Sequence, residues 1–292
     1  DGCLMLPSNV YLQGAGMGET VIKVVDGWDQ KITGIIRSAY GEETHDFGVS
    51  DLTIDGNRDA TTGKVDGWFN GYIPGQDGAD RNVTLERVEI RDCSGYGFDP
   101  HEQTINMLIK DCVAHGNGLD GFVADYMIDG AFVGNVAYDN DRHGFNVVTS
   151  THDFVLLDNV AYGNGGNGIV VQRGSDDIPS PENILIQGGE YYGNAKEGIL
   201  IKLSSQVTVD GAEIYGNGGT GVRIYGSSDV QVINSEIHGN AQSTPNPEIL
   251  VQSYDDTAGA SGRFWTAQNN LIEHNVIRGE GHSTYGVQER ND

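Results

Sequence analysis

From residue 82 onward, a glycine followed by an apolar residue recurs at a near-constant interval: Gly97-Phe98, Gly121-Phe122, Gly144-Phe145, Gly168-Ile169, Gly198-Ile199 and Gly221-Val222. The intervals are 24, 23, 24, 30 and 23 residues, and the long one contains an insertion, Gly174 to Glu182, with two prolines. Each unit reads as short strand, turn, short strand, turn, then the glycine and another short strand. Phe154-Val155-Leu156 followed by Val160-Ala161-Tyr162 is one such pair. Leucine-rich repeats have a similar period but need a leucine–asparagine consensus, and propeller blades need about twice this length. A coil of three short strands stacked in parallel fits. The expected fold is all-β, a single-stranded right-handed parallel β-helix.

The columns of this alignment carry a second constraint. Four residues before the successive glycines stand Cys93, Asn117, Asn140, Asn164, Asn194 and Asn217, and Asn240 continues the series. Coils about 4.8 Å apart let side-chain amides hydrogen-bond along such a stack, which satisfies polar groups inside a turn that water does not reach. One and three residues after each glycine the side chains are apolar in every coil, as in Phe122/Ala124, Phe145/Val147 and Ile199/Ile201. Those positions face the core, and strand alternation places offsets +2 and +4 outside. The first 80 residues continue less regularly, with strand-like Val10–Leu12, Val21–Val24, Ile35-Ile36 and Leu52–Ile54. Thr61 to Asp80 reads as a long Gly-rich excursion carrying Lys64, Trp68, Phe69 and Tyr72, whose aromatics favour function.

Composition narrows the partners. With 17 basic and 42 acidic side chains the formal charge is −25, which excludes nucleic acid. No apolar run reaches the roughly 18 residues of a membrane helix. Cys3, Cys93 and Cys112 are odd in number and lack metal-ligand spacing, so free thiols are expected. The chain is expected to be one module over residues 1–292, acting as a monomer. It opens mid-pattern at Asp1-Gly2-Cys3-Leu4, as though an N-terminal cap and first coil were absent.

The outward columns hold the chemistry. Offset +4 reads His101, Asp125, Val148, Gln172, Lys202, Tyr225; offset +2 reads Asp99, Val123, Asn146, Val170, Leu200, Arg223. The position before the glycine reads Tyr96, Asp120, His143, Asn167, Glu197, Thr220. Tyr96, Asp99, His101, Asp125 and His143 therefore fall within three coils on one sheet face. Arg142, Arg173, Lys202 and Arg223 form a basic surround that suits a polyanion despite the overall charge. Asp120, Glu197 and Thr220 read as solvated turn residues. His152 is a weaker subsite candidate, and His45, His115, His238, His274 and His282 carry no pattern.

Tyr, His and carboxylates without a nucleophile elbow point to proton transfer. A uronic acid carries a weakly acidic proton at its fifth ring carbon, and removing it requires the adjoining carboxylate to be neutralised. Protonation from the opposite face inverts the centre; expulsion of the glycosidic oxygen is β-elimination. Glycoside hydrolysis competes, since Asp99 and Asp125 could span a scissile bond, but it needs no Tyr and two His. A non-catalytic glycan-binding module would need none of them.

The run Tyr96-Gly97-Phe98-Asp99-Pro100-His101-Glu102 resembles the signature of the secreted, calcium-dependent mannuronan C-5 epimerases. The resemblance extends to Leu6–Gly16, Arg142–Asn146 and Gln252–Thr257, and so spans the chain. It implies a pectate-lyase-like solenoid that converts β-D-mannuronate to α-L-guluronate within alginate, with alginate lyase or a bifunctional enzyme as the alternative. It implies a catalytic cluster at Tyr96, Asp99, His101 and His143, with His101 and Tyr96 as the acid–base pair, the order between them open. Asp99 in its protonated form and His143 would neutralise the substrate carboxylate. Lys64, Asp125, Arg142 and Lys202 would line the groove, joined by Arg173 and Arg223. It also implies Ca2+ with no ligands assignable, extracellular secretion, and calcium-binding repeat modules following this one.

Overall fold

The computed structural model describes residues 2–39, 42–71, 79–101, 103–175 and 177–290. Tyr72 and Glu102, singled out from sequence, lie outside the described residues. Among the described residues the chain winds into a parallel β-helix. An 11-stranded sheet runs in chain order from Leu4–Leu6 to Val287–Arg290, and an 18-stranded sheet closes the other sides. The registers place equivalent positions one coil apart, for example Phe122↔Phe145, Asn146↔Val170 and Ile199↔Val222. In His45–Asp55 and Asp80–Arg91 the second and third strands of the coil run on as one.

The apolar columns form the interior: Phe98, Phe122, Phe145, Ile169, Ile199 and Val222 are all fully buried. Phe98, Phe122 and Phe145 stack with ring centroids 4.6 and 4.9 Å apart. Each such burial contributes on the order of 1.5–3 kcal/mol. The invariant glycine of the repeat now has its physical reason. A Cβ at Gly144 would stand 2.7 Å from the Gly168 carbonyl oxygen and 2.8 Å from the Ala161 Cβ. Only a residue without a side chain lets adjacent coils approach this closely.

The asparagine ladder is continuous. The Nδ2 of Asn117, Asn140, Asn164, Asn194 and Asn217 each donates to the Oδ1 of the next member at 2.8–3.0 Å. Asn240 then donates to Glu248 Oε2 at 2.7 Å, so a buried carboxylate ends the stack. A second ladder was not anticipated. Asn135 donates to Asn159 at 3.0 Å, and the Cys112 backbone N–H donates to Asn135 Oδ1 at 2.9 Å. Cys93 heads the first ladder in the same way, donating its N–H to Asn117 Oδ1 at 3.1 Å. All three thiols are free, with Cys93 and Cys112 buried.

The expected excursion over Thr61–Asp80 is corrected. Trp68–Asn70 is a strand of the 11-stranded sheet, paired to Ile36 and Arg37 on one side and to Phe98–Pro100 on the other. Trp68 is fully buried in the core, and its indole N–H donates to Asn70 Oδ1 at 2.6 Å. Asp80 already begins the next long strand. Trp68 thus belongs to the core, whereas Phe69 faces the groove and stacks on the His101 ring.

Candidate active site

The short strand Phe98–Pro100 and the strands Phe122–Asp125, Phe145–Val148 and Ile169–Gln172 lie side by side and present their outer positions to one groove. A cavity of about 610 Å³ there is lined by Tyr96, Asp99, His101, Asp125, Arg142 and Arg173, with Tyr126, Asn146 and Gln172 among the others. Six of the sequence-predicted site residues thus meet. Lys64, His143, Lys202 and Arg223 are not in the lining.

The face is less open than alternation alone suggests. Asp99, Val123, Asn146 and Val170 point away from the core yet are buried beneath neighbouring side chains. Asp99 is only 5% exposed. Burial, reinforced by the Asp66 and Asp125 carboxylates, holds its pKa well above the usual carboxylate range, with Lys64 opposing. The site therefore favours a neutral carboxylic acid at this position.

His101 is fixed on two sides. Its Nε2 lies 3.1 Å from Asp125 Oδ2, and its ring stacks on Phe69 at 6.0 Å. Asp125 therefore stands as the partner of His101 as well as a groove residue. Burial raises the Asp125 pKa and His101 opposes the rise.

Tyr96 lies between cations. Lys64 Nζ stands 4.8 Å from its ring centroid, the Arg142 guanidinium 5.4 Å, and Arg142 Nη2 is 3.4 Å from the phenol oxygen. Burial raises the phenol pKa, and the Arg142 charge pulls it back. Neither cation is a lone charge: Lys64 pairs with Asp66 at 3.4 Å, and Arg142 binds both oxygens of Asp120, one at 2.6 Å.

Asp120 corrects the sequence reading. It is fully buried, and besides Arg142 it accepts from the His143 backbone N–H at 3.0 Å and from Asn146 Nδ2 at 2.9 Å. Thr220 is likewise buried, and Glu197 pairs with Arg223 at 3.3 Å. Asp120 and Glu197 each meet an arginine of the next coil, and Thr220 is shielded from water. His143 has its Nδ1 occupied, accepting from the Asn167 N–H at 3.0 Å. The neutral tautomer that results carries its proton on Nε2. Burial lowers the His143 pKa to about 4, so the ring is uncharged at neutral pH.

The remaining cations sit against aromatic rings: Arg173 of the cavity wall at 5.8 Å from Trp265, Lys202 at 4.9 Å from Tyr254, and Arg223 at 4.2 Å from Tyr225. His152 pairs with Asp153 at 2.8 Å beside a separate cavity. His115 and His238, given no role from sequence, end a stack of Tyr138, Tyr162, Tyr192 and Tyr215 with neighbouring centroids 4.6–5.4 Å apart. Among the described residues, no group of three or more His, Cys, Asp or Glu side chains is arranged to hold a metal ion.

A parallel β-helix with Tyr96, Asp99, His101 and Asp125 gathered in a groove along its sheet defines the class. The family described as "Right handed beta helix region" matches residues 72–188 and 182–292, and the chain belongs to it. Within it, the chain belongs with the A-modules of mannuronan C-5 epimerases. The solved AlgE4 A-module of Azotobacter vinelandii is 68% identical with a TM-score of 0.97, over 99% of this chain and 78% of that one. Mannuronan C5-epimerase AlgE6 of the same organism is 72% identical over all 292 residues, which are 33% of its length. Alginate lyase 7, also from Azotobacter vinelandii, is 61% identical over the whole chain and 34% of its own length. The chain thus spans about a third of the length of these two curated relatives.

Proposed function

We propose that this chain epimerises β-D-mannuronate to α-L-guluronate within polymeric alginate. The observation that carries the reading is Asp99, buried in one cavity with Tyr96 and His101, where burial favours its protonated form. A neutral carboxylic acid can hydrogen-bond a substrate carboxylate where an anion would repel it. That interaction lowers the cost of charge building up beside the fifth ring carbon. Tyr96 and His101 are the proton carriers, one removing the proton and the other returning it on the opposite face. Asp125 holds the His101 ring, and Arg142 stabilises the phenolate form of Tyr96. His143, neutral and fixed through Nδ1, offers an uncharged donor rather than a cation. Lys64, Lys202, Arg173 and Arg223 supply positive potential along the chain of uronates.

Alginate lyase activity is the second reading. It is favoured by the likeness to alginate lyase 7 and by chemistry, because elimination leaves the same carbanion-like intermediate. Secretion, action as a monomer and following repeat modules belong to this proposal; the greater length of the relatives leaves room for such modules. Calcium, implied by the resemblance, finds no cluster of ligating side chains among the described residues, and no step is assigned to it.

One experiment separates the outcomes. Polymannuronate is incubated with the protein and calcium in heavy water and followed by proton NMR. Guluronate with deuterium at the fifth carbon supports epimerisation. Ultraviolet absorbance from unsaturated ends, without guluronate, supports the lyase. An unchanged polymer rejects both.

A further inference from the structure

We infer that Asn70 is a positioning residue for His101, holding the main chain on both sides of that histidine so that its ring meets the groove. The inference rests on the proposed role of His101 for its effect on turnover, but its geometry stands apart from that role. The strand Phe98–Pro100 is unevenly supported. Toward Trp68–Asn70 it pairs at three positions, ending at Asn70↔Pro100. Toward Phe122–Asp125 it pairs only at Phe122↔Phe98. The next two strands, Phe122–Asp125 and Phe145–Val148, pair at all four positions. Beyond Phe98, therefore, the chain leaves its ladder on one side, and the neighbour carrying Asn70 sets its course.

Three polar groups of Asn70 serve this purpose. Its carbonyl accepts the His101 backbone N–H at 2.7 Å. Its Nδ2 donates to Thr104 Oγ1 at 2.7 Å, and Thr104 Oγ1 donates to the His101 carbonyl at 3.3 Å. Its Oδ1 accepts the Trp68 indole N–H, tying the frame to the core. Asn70 and Thr104 are both fully buried, so water cannot replace these bonds. Phe69, one residue earlier, stacks on the His101 ring. One short strand thus fixes both the backbone and the ring face of the histidine. Asparagine suits the position because it is short, donates and accepts at once, and is uncharged.

Displacing a reacting group by about 1 Å costs on the order of a hundredfold in rate. Asn70→Ala is therefore expected to lower kcat on polymannuronate ten- to a hundredfold with KM within about twofold. The ring 15N NMR signals of His101, assigned by their loss in His101→Ala, should shift in Asn70→Ala while those of His143 stay in place. An unmoved His101 signal overturns the inference, as does an unchanged kcat in a protein whose His101→Ala variant is inactive. Full turnover in His101→Ala instead rejects the role proposed for His101 in the chemistry, and the NMR shift still reports the positioning. If Asn70→Ala does not fold, Thr104→Val and Thr104→Ser replace it. Valine should move the His101 signal and serine should restore it; two identical spectra overturn the inference.

Discussion

Asp125 Oδ2 lies 3.1 Å from His101 Nε2, although the two residues belong to successive coils and share the same offset from their glycines. The contact follows from stacking at strand spacing, and it fixes which edge of the imidazole faces the carboxylate. Replacing Asp125 by Asn keeps the shape and removes the charge that selects the tautomer. By analogy with the histidine–aspartate pair of serine proteases, kcat on polymannuronate should fall by roughly 10²–10⁴, with KM little changed. The initial rate of guluronate formation by NMR measures it. A raised KM at full kcat would make Asp125 a substrate contact instead.

Asp99 is expected to oppose stability in return for chemistry. Its folded pKa lies above the unfolded value, so the native state retains a proton that the unfolded chain releases. The native state thus loses stability as pH rises from the unfolded pKa toward the folded one. Asp99→Asn removes this penalty. At pH 7 the variant should melt higher by about 2–4 °C, the shift equivalent to ~1 kcal/mol in a domain of this order of size, while turnover falls at least a hundredfold. Calorimetry beside the NMR assay measures both; a lower melting point would mean that the buried group is a stabilising carboxylate.

The sequence contained the repeat, the core columns and the first asparagine ladder because each repeats one residue type in register. Asn117 through Asn240 needed only the coil length to be found. The meeting of Tyr96, Asp99, His101 and Asp125 was readable for the same reason. Asp120 was not: a polar residue before a glycine looks solvated until Arg142 arrives from the next coil to cover it. Thr220 is buried as well. The strand Trp68–Asn70 was missed because the early coils lack the 23–24-residue spacing that marks the later ones. The His115–Tyr138–Tyr162–Tyr192–Tyr215 stack was in reach, since each stands six residues before an aligned glycine. Two residue types in one column masked it.

His143 should make the fold sensitive to acid. Its folded pKa of about 4 lies below the ordinary 6.5, so the unfolded chain takes up a proton first as pH falls. The stability contributed by the neutral ring is complete above pH 6.5 and is lost as pH falls toward 4. The size is roughly 3 kcal/mol at most. His143→Asn keeps an acceptor for the Asn167 N–H and cannot titrate. Its melting point should therefore drop less between pH 7 and pH 4.5 than that of the parent chain. Parallel curves for the two proteins would remove His143 as the cause.

The asparagine ladder predicts a gradient of mutational cost along the solenoid. Asn164 Nδ2 donates to the Ala137 carbonyl at 3.0 Å and to Asn194 Oδ1 at 2.9 Å. Its Oδ1 accepts from both the backbone and the side-chain N–H of Asn140. Asn164→Ala removes four hydrogen bonds and leaves the buried Asn140 backbone N–H without its partner, while Asn140 Nδ2 keeps the Ala114 carbonyl and Asn194 Oδ1 keeps the backbone N–H of residue 164. The orphaned N–H costs about 1–3 kcal/mol and each of the other lost bonds about 0.5–1.5 kcal/mol, so a loss of roughly 3–5 kcal/mol is expected. At the head of the ladder, Cys93 takes part only through its backbone N–H. Cys93→Ala keeps that bond and should cost no more than about 2 kcal/mol, mainly from lost packing. Urea unfolding of the two variants compares them directly. Equal losses would mean that the amides contribute only as packing volume and that the ladder is not what locks the coils in register.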